Sequence, residues 1–136
     1  SAVDKATTLN YINAAGTFEV TGNDVLVMND FVSNGTETFA NLTAEALLNS
    51  IKNDTLTTND HGNLSNATLN NAADTATLLG TTIKSILMIE SDINDGEYKV
   101  FELTASETSN DFTAATLLGT IDFGETQTTL TDNNIA

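Results

Sequence analysis

The chain of 136 residues has no cysteine, no proline, no tryptophan and no arginine. Without cysteine it can hold neither a disulfide nor a thiolate metal site. Without proline its strands lack one of the usual blocks to edge pairing. Positive charge is confined to Lys5, Lys52, Lys84 and Lys99, against 19 acidic residues, for a net charge of −15 at pH 7. A field of that sign repels phosphate backbones and anionic lipid heads and favours divalent cations. Nucleic acid and membrane surfaces are therefore not expected partners. Nor is membrane insertion, because no apolar run nears the roughly 18 residues of a spanning helix. The run at residues 86–89 is only Ile-Leu-Met-Ile.

Catalytic groups are equally sparse. His61 is the only histidine, and it stands among turn residues in Asn59-Asp60-His61-Gly62. A general base needs a nucleophile and an orienting group beside it, so this histidine reads as an exposed loop residue. No Gly-x-Ser-x-Gly, phosphate-binding loop or dinucleotide fingerprint occurs. Paired carboxylates for glycoside hydrolysis would want an aromatic-lined cleft, and six Phe with two Tyr supply little lining. The chain is not expected to be an enzyme.

What is abundant is threonine, 24 residues, and asparagine, 17 residues. This bias suits strands with polar faces joined by Asn-rich turns. It is common in surface proteins, and an extracellular or cell-surface location is expected. The chain opens at Ser1 without a signal-peptide pattern, which suits a processed chain, a fragment or export through a C-terminal signal.

Residues 17–21 alternate apolar and polar, a half-buried strand, and Gly22-Asn23-Asp24 signals a turn. Val25-Leu26-Val27-Met28 then reads as a buried strand, hairpinned to the first. Thr43 is a helix N-cap with Glu45 in the first turn. Ala44, Leu47, Leu48 and Ile51 form one apolar stripe, so residues 43–52 are a helix closed by Lys52. Residues 53–75 read as a long polar loop with a helical turn at 66–73. Ile83 to Glu90 is a buried strand, and Asp92-Ile93-Asn94-Asp95-Gly96 a turn. Glu97 to Thr104 is a strand with Phe101 and Leu103 on one face and Tyr98 and Val100 on the other. After a polar loop at 106–113, residues 115–123 alternate as a further strand. Residues 4–15 suit either a strand or a helix ended by Gly16.

The expected fold is mainly β: antiparallel, sandwich-like sheets with one short α-helix at about 43–52 on one face. It forms a single β-rich domain over 1–136, with extended arms at 1–15 and 125–136. Two echoes, Ala-Thr-Leu-Leu-Gly-Thr at 76–81 and 115–120 and Phe-Glu-Val/Leu-Thr at 18–21 and 101–104, suggest similar strands used twice. They fall short of the three units a solenoid needs.

One turn carries candidate metal chemistry. Asp92, Asn94, Asp95 and Glu97 offer hard oxygens in a short loop, the donor set that Ca²⁺ takes. Their spacing departs from the twelve-residue calcium loop: Gly96 falls at the fifth position and Leu103 at the twelfth. A solvated hairpin turn explains the same residues. The Asn-Asp pairs beginning at 23, 29, 53, 59 and 110 are similar turn chemistry. Glycosylation sequons begin at Asn34, Asn41, Asn53, Asn63 and Asn66, and such a composition generates them incidentally. Residues 85–89 are apolar on both faces, which fits a buried strand or an edge used in assembly.

From residue 76 onward the order of motifs is distinctive. Gly80 to Glu90 reads Gly-Thr-Thr-Ile-Lys-Ser-Ile-Leu-Met-Ile-Glu. Asn94 to Thr104 reads Asn-Asp-Gly-Glu-Tyr-Lys-Val-Phe-Glu-Leu-Thr, and Ala115 to Gly124 reads Ala-Thr-Leu-Leu-Gly-Thr-Ile-Asp-Phe-Gly. This stretch resembles the bluetail-type C-terminal domain of large, often cyanobacterial, exoproteins that resemble type I secretion substrates. The resemblance covers roughly residues 76–136, with Tyr98, Phe101 and Phe123 in frame. It implies an extracellular tail domain and no catalytic residues. The shortness of the chain favours a small stand-alone subunit. The leading functional expectation is a non-catalytic structural protein that self-associates through strand addition or edge pairing into a filament, layer or matrix. The alternatives are a secretion or anchoring domain of a large adhesin and a calcium-dependent carbohydrate-binding module.

Overall fold

A computed structural model describes residues 9–12, 15–20, 25–33, 38–51, 66–71, 83–105 and 112–124, and the structural statements below concern these. The elements in chain order are β1 (Leu9–Ile12), β2 (Ala15–Val20), β3 (Val25–Met28), α1 (Ala44–Ile51), β4 (Asn66–Asn71), β5 (Ile83–Glu90), β6 (Glu97–Ala105) and β7 (Phe112–Asp122). Five strands form one sheet in the order β1-β3-β5-β6-β7, and β2 with β4 forms a second. The fold is mainly β with one helix, as the sequence predicts.

The centre of the large sheet follows from two apolar runs. β3 is buried at all four positions, and residues 87–89 of β5 are buried in succession. Strands buried on both faces read as continuous apolar runs and take interior places. In the parallel β3–β5 ladder, Leu26 lies beside Leu87 and Met28 beside Ile89, while Val27 lies beside Met88. The first face gathers Leu26, Met28, Leu87 and Ile89 with Phe101, Leu103 and Phe112, under Leu47 and Ile51 of α1 and Phe31, Phe39 and Leu42 of the preceding segment. The second face gathers Val25, Val27, Met88 and Tyr98, with Leu9, Ile86, Val100 and Phe123 packed against them. β6 divides its side chains between the faces as its alternation predicts.

The helix starts where its cap predicts. Thr43 Oγ1 accepts from Ala46 N at 3.1 Å, and Thr43 O accepts from Leu47 N at 2.9 Å, filling two of the first-turn bonds. Leu47 and Ile51 are fully buried against the first face, and Leu48 packs beside them. Lys52 lies outside the described residues.

Four expectations are corrected. The antiparallel arrangement holds for β5-β6-β7, whereas β1-β3-β5 is parallel, as is β2-β4, so the large sheet is mixed. No hairpin joins β2 to β3: β3 pairs with β1 and β5, and β2 with β4. A turn signal is local, whereas a strand apolar on both faces needs neighbours on both sides, and β3 found them elsewhere. Of the helical turn expected at 66–73, residues 66–71 are instead β4, whose ladder bonds to β2 outweigh a weak helical pattern. Residues 115–123 begin earlier, at Phe112, which seats its ring in the core.

Of the ambiguous stretch 4–15, residues 9–12 are strand β1 and Ala15 opens β2. The first of the paired echoes, 76–81, and the arm at 125–136 lie outside the described residues, as do residues 1–8. Among the described residues no helix is long and apolar enough to cross a membrane.

Leu47 fills the space between α1 and the sheet. Leu47→Ala is expected to lower unfolding free energy by about 3 kcal/mol in urea titration, the range for a buried leucine truncation. A loss under about 0.5 kcal/mol, the level of an ordinary surface change, would remove α1 from the core.

Candidate functional site

The β5–β6 connection is a tight turn built by its own side chains. Ser91 Oγ accepts from Ile93 N at 3.2 Å and from Asn94 N at 3.1 Å. Asn94 O accepts from Glu97 N at 3.2 Å, and Ser91 N donates to Glu97 O at 2.8 Å. Gly96 takes the left-handed conformation, φ 82°, that glycine adopts without strain. Its N–H donates to buried Glu90 Oε1 at 3.1 Å, and its carbonyl accepts from Phe123 N at 2.9 Å.

The four candidate metal ligands share this turn but do not converge. Asp92 turns away to the segment after β3: its Oδ2 accepts from Ser33 N at 2.6 Å and its Oδ1 from Ser33 Oγ at 2.9 Å. Asn94 presents its amide Nδ2 to Glu97 Oε2 at 2.7 Å. Asp95 is exposed at the tip. Among the described residues no three acidic, histidine or cysteine side chains are placed to hold a metal. A calcium ligand set would need oxygens of Asp92, Asn94 and Glu97 turned toward one common point. In this arrangement the four do not form one ligand set, and the carboxylates of Asp92 and Glu97 serve as acceptors for strap and turn.

The strap is residues 31–33 and 38–43, running over the first face into α1. Two charged groups fasten it. Asp92 holds Ser33, whose Oγ in turn accepts from Phe39 N at 3.1 Å. Lys99, only 8% exposed, sends Nζ into three backbone carbonyls: Phe39 O, Ala40 O at 2.9 Å and Leu42 O at 3.0 Å. The same ammonium lies 5.1 Å from the Phe39 ring centroid, a cation–π distance. Burial pushes the Lys99 ammonium below its ordinary pKa, with the Glu97 charge acting the other way. Period two carries the signal for this site: Lys99 has the parity of Phe101 and Leu103, so it enters on the core face.

Behind the turn, the fully buried Tyr98 hydroxyl lies near Asn29 Oδ1, at 3.3 Å, and the Glu90 carboxylate. Burial first, and then the Glu90 charge, push the phenol well above the ordinary tyrosine value. Phe123 meets the Tyr98 ring edge-on at 6.0 Å between centroids.

The last strand offers a different surface. β7 is an end strand of the large sheet, paired to β6 alone among the described strands. Its 11 residues carry no charge before Asp122. Leu117 is 42% exposed, Leu118 55% and Ile121 42%. Register shifts fall at Thr113 and Leu118, leaving 114–117 as a regular run opposite β6. β5, by contrast, is interior, which removes the edge reading of residues 85–89.

Of the other sequence candidates, Asn41 is exposed in the turn before α1, and Asn29 and Asp30 are exposed after β3. His61, the sequons at 34, 53 and 63, and the Asn-Asp pairs at 23, 53, 59 and 110 lie outside the described residues. Asn66 opens β4. No family model, curated protein or solved structure matches the chain.

Lys99→Met is expected to cost about 2–4 kcal/mol, since bonds from a charged donor are lost and buried carbonyls are left bare. Lys84→Met, which breaks a mostly exposed 2.7 Å pair with Glu102, should cost under about 1 kcal/mol. Equal costs in denaturant titration would dismiss the carbonyl clamp. The raised Tyr98 pKa means that the folded state holds the phenol proton more tightly than the unfolded chain. The resulting stability is whole below the unfolded value of about 10 and drains away as pH rises above it. Tyr98→Phe should flatten the decline in unfolding free energy above about pH 10, between about pH 10 and pH 12; an unaltered slope there would refute the assignment.

Proposed function

We propose that this chain is a non-catalytic extracellular structural protein, a subunit that self-associates into a filament, layer or matrix. The observation that carries this reading is β7. A long end strand, uncharged from Phe112 to Ile121, with exposed Leu117, Leu118 and Ile121, and neither lysine nor proline to block it, is a template for another strand. Thr113, Thr116 and Thr120 along the same strand suit polar ladders between copies. The resemblance of residues 76–136 to a bluetail-type domain supports an extracellular placement. The net charge of −15 keeps dilute subunits apart until salt or cations screen it.

Calcium acts here through charge screening rather than through a site in the turn at 91–97. Electron microscopy and sedimentation of the purified chain should reveal fibres, sheets or oligomers that grow with ionic strength. Sodium chloride of matched ionic strength should replace calcium. The double variant Leu118→Lys/Ile121→Lys should stay monomeric with an unchanged melting temperature. A wild-type chain that remains a monodisperse monomer in high salt, with or without calcium, would defeat the proposal.

A further inference from the structure

We infer that the occupant of the β7 edge is β7 of a second copy, paired antiparallel about a two-fold axis at Thr116. This rests on the self-association reading and adds the surface, the partner and the register. Charge selects the partner. Residues 112–121 are neutral in a chain of net charge −15, so two acidic copies meet with least repulsion along this stripe. A basic partner would gain nothing from it. Isologous pairing closes as a dimer: each copy offers the same edge, and two strands become one interior pair; growth of such dimers into a filament or layer takes a second contact, for which β1, the other end strand of the sheet, is the remaining edge.

Side-chain size selects the register. An axis at Thr116 sets Leu117 of one copy opposite Ala115 of the other, and Leu118 opposite Ala114, each pair occurring twice. Large therefore meets small, and Leu117 continues the first face where Ala115 already packs on the core. Thr116 meets Thr116, a favourable cross-strand pair. The axis lies in the regular run 114–117 between the two register shifts. It also keeps Asp122 from facing its own copy, which an axis at the C-terminal end of β7 would impose.

The absence of cysteine makes the test direct. Thr116→Cys should be trapped as a disulfide dimer on mild oxidation, because residues facing across an axis bring Cα atoms within bridging distance. Thr120→Cys, on the same strand, places its copies about 27 Å apart at roughly 3.4 Å per residue and should not be trapped. The trapped fraction for Thr116→Cys should exceed that for Thr120→Cys about tenfold and should rise with salt between about 0.05 and 0.5 M, as screening lowers repulsion. Melting curves of the reduced variants verify that both fold, and Ala115→Cys with a short bis-maleimide repeats the measurement at the neighbouring position. Oligomers in which neither Thr116→Cys nor Ala115→Cys is trapped would overturn this pairing while leaving self-association standing. Equal trapping at Thr120, or trapping that falls with salt, would also overturn it. A strictly monomeric chain would remove the pairing together with the proposed function.

Discussion

Val25–Met28 and residues 86–89 are apolar at every position, and strands of that kind cannot leave either face in water. Most of the structure answers that requirement. β3 and β5 lie side by side in the sheet interior, with β1 and β6 as flanks. One face is roofed by α1 and the strap; the other carries Tyr98, Val100 and Phe123. The chain crosses from β3 to the parallel β5 by way of α1, and that crossover supplies the roof.

A roof made largely of irregular backbone needs its carbonyls satisfied, since an unpaired buried carbonyl costs as much as a lost hydrogen bond. Lys99 meets that need at three positions, and Asp92 fastens the same segment through Ser33. A buried lysine is ordinarily unfavourable; here its ammonium replaces water for Phe39, Ala40 and Leu42. The turn whose carboxylates suggest a calcium loop is thus part of the scaffold. Asp92 and Glu97 accept from N–H groups within the protein.

Much of the fold was legible because it is local. The Thr43 cap with the stripe Ala44, Leu47, Leu48 and Ile51 defines α1 to within a residue at each end. The runs at 25–28 and 83–90 mark buried strands, and the alternation in 97–104 sorts Phe101 and Leu103 from Tyr98 and Val100. The parity of Lys99 was legible too, though lysine is ordinarily a surface residue and composition alone points outward. Pairing was not legible. Gly22-Asn23-Asp24 suggests a hairpin, yet whether β3 joins β2 or β5 depends on which arrangement buries both faces of both apolar strands.

The sequence alone determined the class: mainly β, one helix, acidic, without cysteine, with a core drawn from the apolar runs. These follow from composition and from periods of 2 and 3.6, which act within a few residues. Tertiary structure decided the mixed topology, the strap beneath Lys99, the engagement of Asp92 with Ser33, and the place of β7 at the sheet end. Each is a meeting of residues distant in the chain: Ser33 with Asp92 is 59 positions apart and Phe39 with Lys99 is 60. Their coming together depends on the total area buried and the total of polar groups satisfied, which no local pattern contains.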